Sequence, residues 1–135
     1  MRIMSCQVFV PDPQYAVGSE EYYSDVKSTS KSNEAWLYAA DNGAVIASCS
    51  FGKYSTYSQS HMDAMNYFIE NAGVGLNGEQ TGPIRGGLVI CSAGNDGLDQ
   101  IRYPGGYPQC VSTGWMSPDY TKHSKSNYGT WVDIT

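Results

Sequence analysis

The stretch GGLVICSAGNDGLDQIRYPGGYPQCVSTGWMSPDYTKHSKSNYGTWVD, residues 86–133, carries four signals in a fixed order. The apolar run Leu88 to Cys91 stops at Ser92-Ala93-Gly94-Asn95-Asp96-Gly97, a set of turn formers. Tyr103-Pro104-Gly105-Gly106-Tyr107-Pro108 follows, then a second apolar run from Cys110 to Trp115, and finally Ser126-Asn127-Tyr128-Gly129. Two short apolar runs, each bounded by Gly and Pro punctuation, read as strands buried in a sheet.

Upstream, strands alternate with helices. Arg2 to Val10 reads as a buried strand stopped by Pro11 and Pro13, and residues 11–31, rich in Ser, Tyr and acids, as a surface insertion. Ser32 is placed to cap a helix through Glu34 to Ala40, which Gly43 ends in left-handed geometry. Val45 to Cys49 is the next strand. Ser60-His61-Met62-Asp63 has the character of a capping box, and Met65, Phe68, Ile69 and Ala72 share one helix face at i, i+3, i+4 and i+7. This alternation predicts an α/β fold, doubly wound around a mainly parallel sheet. In such sheets ligands bind at the carboxyl ends of strands, where Ser50-Phe51-Gly52 and Ser92-Ala93-Gly94-Asn95 both fall.

Length and composition narrow the function. The 135 residues suit one domain or part of one, with 41% hydrophobic residues to supply a core. A formal net charge of -5 without a basic cluster argues against nucleic-acid binding, which depends on counterion release by Lys and Arg. No apolar stretch approaches the roughly 20 residues of a membrane-spanning helix. Met1 opens into a strand-like segment, so no signal peptide is expected in this chain. Cys6, Cys49, Cys91 and Cys110 lie one in each strand-like run, without the spacing of a zinc site, and read as small buried apolar residues. The literal GxGxxG at Gly73 to Gly78 follows a helix and enters a polar loop, the reverse of the dinucleotide-site order. Glu20, Glu21 and Asp25 read as a solvated loop.

Taken together, the ordered motifs resemble the second half of a subtilisin-like (S8, subtilase) serine protease domain, and most of the chain is covered. Arg2-Ile3-Met4 resembles that family's strand before the insertion, and Ala39-Ala40-Asp41-Asn42-Gly43-Ala44 to Ser50-Phe51-Gly52 its "A.DNGA.VINMSLG" segment. The resemblance implies that the Asn95 amide donates to the oxyanion of a tetrahedral intermediate. It implies that Ser50, Phe51, Gly52, Ser92, Ala93 and Gly94 flank an extended peptide or protein substrate, and that Tyr103, Pro104 and Gly105 line the base of the P1 pocket. Taken alone, Gly-Asn-Asp-Gly is only a tight turn, and the other two segments are ordinary strand ends; their order gives them the functional reading.

The resemblance also implies a weak cation site at Asp133 with the carbonyls of Gly105, Tyr107 and Cys110. One carboxylate suits calcium poorly, so a solvated Asp133 is expected, no cofactor is assigned, and any calcium belongs to the full-length enzyme. Family members place their catalytic Asp and His upstream of the segment matched by Arg2 and their Ser downstream of Asp133. None of those motifs occurs here, and His61 and His123, outside any HGTH context, read as surface histidines. The expectation is a central fragment of a secreted, periplasmic or cell-surface endopeptidase, inactive alone and associating through exposed sheet edges. The alternative is a non-catalytic peptide-binding or structural remnant. Phe51, Ser48-Cys49 and Lys125 depart from the usual family residues, which leaves substrate preference unread.

Overall fold

A computed structural model of the chain describes residues 3–6, 8–10, 27–28, 31–52 and 56–135. The elements are β1 (Phe9–Val10), β2 (Lys27–Ser28), α1 (Lys31–Asp41), β3 (Ile46–Cys49), α2 (Gln59–Asn71), β4 (Leu88–Ser92) and β5 (Val111–Thr113). Strands β3, β4 and β5 form a parallel sheet in that order, with Cys49 opposite Cys91 and Cys91 opposite Ser112. The α/β class and the parallel pairing follow the sequence pattern. The insertion expected at 11–31 lies outside the described residues, apart from β2 and Lys31.

The first strand departs from expectation. Ile3 is 84% exposed, residues 3–6 join no ladder, and Phe9–Val10 pairs antiparallel with Lys27–Ser28 in a separate two-stranded sheet. An apolar run fixes neither its partner nor its depth, and here the partner is the segment that returns from the insertion. Two helix starts also shift. Helix α1 begins at Lys31, so Ser32 is a buried first-turn residue instead of a cap. At α2 the cap is Ser58, whose extended backbone precedes the helix and whose Oγ accepts the His61 N–H at 3.4 Å. The expected end of α1 holds: Gly43 takes φ +84°, its N–H donates to Ala40, and Ala44 N–H donates to Ala39.

The apolar face read from α2 is the centre of the core. Met65, Phe68 and Ala72 are fully buried, and Ile69 packs at the margin. Trp36 of α1 tilts against the Phe68 ring with centroids 5.7 Å apart, joining the two helices over Cys49, Val89 and Cys91 of the sheet. Burial alternates along β4, Val89 and Cys91 facing this layer while Leu88 is exposed, so the two helices cover the sheet face that carries the cysteines.

His61 is not a plain surface histidine. It is half-buried, its Nε2 accepts the Trp36 Nε1–H at 3.1 Å, and its ring lies 5.8 Å from that of Tyr107. Desolvation lowers its pKa below the ordinary 6.5. The unfolded chain therefore takes up the proton first as pH falls. The stabilisation by neutral His61 is complete above about pH 6.5 and is lost as pH drops from there through the folded value. Urea midpoints measured from about pH 7.5 to about pH 5 are expected to decline as His61 takes up its proton. His61→Phe should flatten that slope; an unchanged slope would assign it to other groups.

Candidate functional site

Three loop segments converge at the carboxyl ends of β3 and β4. Residues 50–52 leave β3 and residues 93–98 leave β4, two adjacent parallel strands whose last register pairs are Ser48 with Ile90 and Cys49 with Cys91. Residues 102–107 reach back to both. A Cβ built on Gly52 lies 3.3 Å from the Tyr103 carbonyl, one on Gly105 lies 2.8 Å from the Ser92 carbonyl, and one on Gly94 lies 3.3 Å from Arg102 Cγ. The sequence-derived residues Ser50, Phe51, Gly52, Ser92, Ala93, Gly94, Tyr103, Pro104 and Gly105 thus form one neighbourhood, tight at Gly52 and too close for any side chain at Gly94 and Gly105.

The Tyr103–Cys110 loop is held rigidly. The Tyr103–Pro104 peptide is cis and Pro104 is fully buried. Tyr107, also buried, packs its ring at a tilt against that of Tyr103 with centroids 4.6 Å apart, donates its hydroxyl to the Ser58 carbonyl at 3.0 Å and accepts the Ser58 N–H at 3.2 Å. Burial raises the Tyr107 pKa, which keeps the phenol protonated and able to donate. One side chain therefore fixes this loop to the cap of α2.

Asn95 stands at the tip of the second segment. It is exposed, and among the described residues its amide makes no side-chain hydrogen bond, leaving both N–H groups available to an oxygen in the cleft. Its position comes from a residue that sequence reasoning passed over. Asn127 is fully buried; its Oδ1 accepts the N–H groups of Asp96 at 2.9 Å and Leu98 at 3.3 Å, and its own N–H donates to the Gly94 carbonyl at 3.0 Å. Gly94 holds φ +106°, and a Cβ there would lie 2.7 Å from Asn127 Nδ2, so the turn before Asn95 requires glycine on both counts. Arg102 closes the loop from the other side, with Nε and the guanidinium terminus each 3.0 Å from Asp96 Oδ2.

Asn127→Ala would remove the acceptor of the half-buried hydrogen bonds from the Asp96 and Leu98 N–H groups. The expected loss is about 1–3 kcal/mol in urea unfolding, with faster amide exchange across residues 94–98. Asn127→Asp keeps the acceptor but sets a carboxylate beside Asp96, so it should restore the variant only in part. Exchange unchanged from the parent in both variants would show that the loop is held without this side chain.

The other candidates lie apart from the convergence or do not fit their roles. His123 stacks on Trp115 with rings 3.5 Å apart, and its Nδ1 accepts the Lys125 N–H. Residues 73–78 follow α2 into a turn, with Leu76 fully exposed, and form no phosphate cradle at a helix start. Asp133 is exposed and its Oδ2 accepts the Ser112 N–H at 2.8 Å. The Gly105 and Tyr107 carbonyls accept from the Cys110 thiol at 3.3 Å and 3.2 Å, so this donor set does not fit a calcium ion. Among the described residues no three His, Cys, Asp or Glu side chains take a metal-holding geometry, and no helix is long and apolar enough to cross a membrane.

With this geometry in hand, likeness to known proteins is informative. The sequence profile of the subtilase family (Peptidase S8) matches residues 14–135. A thermophilic serine proteinase from Bacillus sp. strain AK1 is 30% identical over 101 residues, covering 75% of this chain and 21% of the relative. A halolysin from Haloferax mediterranei is 45% identical over 47 residues, covering 35% of this chain and 9% of the relative. In structure, a cold adapted subtilisin-like serine proteinase superposes with a TM-score of 0.63 at 23% identity, over 82% of this chain and 36% of that one. The prenylagaramide maturation protease PagA gives 0.63 at 22% identity, over 79% and 35%. The chain thus spans about a third or less of each of these proteins.

Proposed function

The chain belongs to the subtilase family, and from that premise we propose that it forms the substrate-binding and oxyanion-stabilising part of an exported serine endopeptidase. In the whole enzyme a Ser attacks the peptide carbonyl, a His serves as base and then acid, and an Asp orients the His. This chain contributes the Asn95 amide, which donates to the oxyanion as negative charge develops there. The extended substrate adds as a strand beside residues 50–52 and 92–94, held through main-chain hydrogen bonds, while residues 103–105 close the base of the P1 pocket. Peptide or protein is the substrate class, and the reading requires no cofactor.

The observation that carries this reading is the meeting of three glycine-bearing segments around an exposed Asn95 whose backbone is clamped from two sides. A site that must stabilise charge only in the transition state needs donors already fixed in place. The test uses the full polypeptide that contains this segment, treated with a fluorophosphonate and assayed on a quenched fluorogenic peptide. The reading expects covalent labelling of one Ser and turnover abolished by the label. Saturable peptide binding with neither labelling nor cleavage would replace it with the non-catalytic peptide-binding reading.

A further inference from the structure

Arg102 stands just before the Tyr103-Pro104-Gly105 segment, and neither the oxyanion donor nor the main-chain contacts to substrate use its side chain. Its backbone is fixed, since its carbonyl accepts the Gly106 N–H at 2.8 Å. From there the side chain crosses between the two segments that flank the substrate. A Cβ on Gly52 would lie 3.8 Å from Arg102 Cβ, and one on Gly94 would lie 3.3 Å from Arg102 Cγ. The stem has this room because both walls are glycine where it passes.

The head of the side chain is enclosed and only partly engaged. The Arg102 side chain is 19% exposed, against 47% for that of its partner Asp96. Nε and Nη2 both donate to the same carboxylate oxygen, Asp96 Oδ2, at 3.0 Å. Of the five N–H donors of a guanidinium these are two, so three have no acceptor among the described residues, and the unpartnered nitrogen Nη1 is not sealed from solvent. Asp96 is better matched, for its Oδ2 also lies 3.4 Å from Asn127 Nδ2. It stands at the more exposed end of the pair, where water screens its charge.

A clamp on the Asn95 turn accounts for the two N–H groups on Asp96 and leaves the other three without a role. An apolar side chain of the substrate laid along Arg102 would cover those donors and leave them unpaired, which costs binding. A carboxylate would meet them, and the planar fork of the guanidinium suits its two oxygens.

We propose that Arg102 determines the specificity of the P1 pocket and selects substrates with an acidic side chain before the scissile bond. The proposal rests on the peptidase reading given above. The guanidinium keeps Asp96 on one edge and receives the substrate carboxylate on the other. One side chain thus holds the turn that carries Asn95 and reads the residue whose peptide bond is cleaved.

The test takes the full polypeptide, with fluorophosphonate labelling as a separate readout, through quenched fluorogenic peptides that differ only in having Glu, Gln, Leu or Lys at P1. The expected kcat/KM for Glu exceeds that for its near-isostere Gln by roughly 10–100-fold, the scale of hydrogen bonds to a charged group, with Leu and Lys lower still. In Arg102→Gln the advantage of Glu over Gln should vanish; an advantage that survives would assign the preference to another group and overturn the proposal. In the parent, a preference for Leu would show that the stem only fills the pocket, one for Lys that Asp96 governs it, and equal rates for Glu and Gln that charge is not read. Each of these, in a protein that labels and cleaves, overturns the proposal and leaves the peptidase reading intact. Neither labelling nor cleavage would overturn that reading and the proposal with it. The comparison on the parent protein needs no variant to fold.

Discussion

Asn95→Ala in the whole enzyme is expected to lower kcat about 10²–10³-fold while KM stays within a few fold. The magnitude is that seen in subtilisin on loss of its oxyanion-hole Asn. The direction follows from the geometry: Asn95 is exposed, while the turn that carries it is fixed through Asp96, Leu98 and Gly94, so truncating the amide removes a donor without loosening the loop. On the proposed reading the substitution removes an interaction made only in the transition state, which would appear in kcat and not in ground-state binding. Asn95→Asp should be as severe, because an acceptor would then face the developing oxyanion. Initial-rate kinetics on a fluorogenic peptide decide the matter. A fall in activity seen only in KM would show that Asn95 binds substrate and does not stabilise the oxyanion.

Phe68→Ala is expected to cost about 3–5 kcal/mol in the free energy of unfolding, the largest stability effect of any single change considered. Phe68 is fully buried at the crossing of the two helices with the sheet. The ring lies against Trp36, and the chain passes over it so closely that a Cβ on Gly87 would be 2.4 Å from Phe68 Cε1. Neighbours this closely placed cannot collapse into the space left by a truncated ring, which puts the cost at the upper part of the range for such changes. Phe68→Leu, nearer in volume, should lose less than half as much. Urea unfolding followed by far-ultraviolet circular dichroism supplies both values. A loss below ~1 kcal/mol for the alanine variant would mean that the core is not organised around this ring.

Local signals in the sequence led to most of the cleft. Leu88 to Cys91 followed by Gly94-Asn95-Asp96-Gly97 reads as a strand and its turn because strand propensity and turn chemistry act over a few residues, and the α2 face reads from periodicity for the same reason. What was not legible depends on partners distant in the chain. Asn127 looked like part of a terminal motif, since its bond to Asp96 spans 31 residues and no local pattern announces a buried amide. His61 looked exposed because its partners are Trp36, 25 residues before it, and Tyr107, far after it. Cys49, Cys91 and Cys110 read correctly as buried, whereas Cys6, in the segment that joins no ladder, is only half-buried. The Arg2 to Val10 run was apolar enough for a core strand, and only the pairing of Phe9–Val10 with Lys27–Ser28 shows where it goes.

The close approach of Gly52 to Tyr103 and the two hydrogen bonds between Ser58 and Tyr107 bear on how the molecule comes into being. About 50 residues separate the first wall of the cleft from the segment that completes it, and a ribosome adding ~5–20 residues per second needs roughly 3–10 s to make them. During that interval the nascent chain holds β3 and gains α2 and β4, but has no floor beneath them. Of these two segments the Tyr103–Tyr107 loop is made later, and a pause in translation between Gly52 and Tyr107 would prolong the exposure of the apolar groups that it covers.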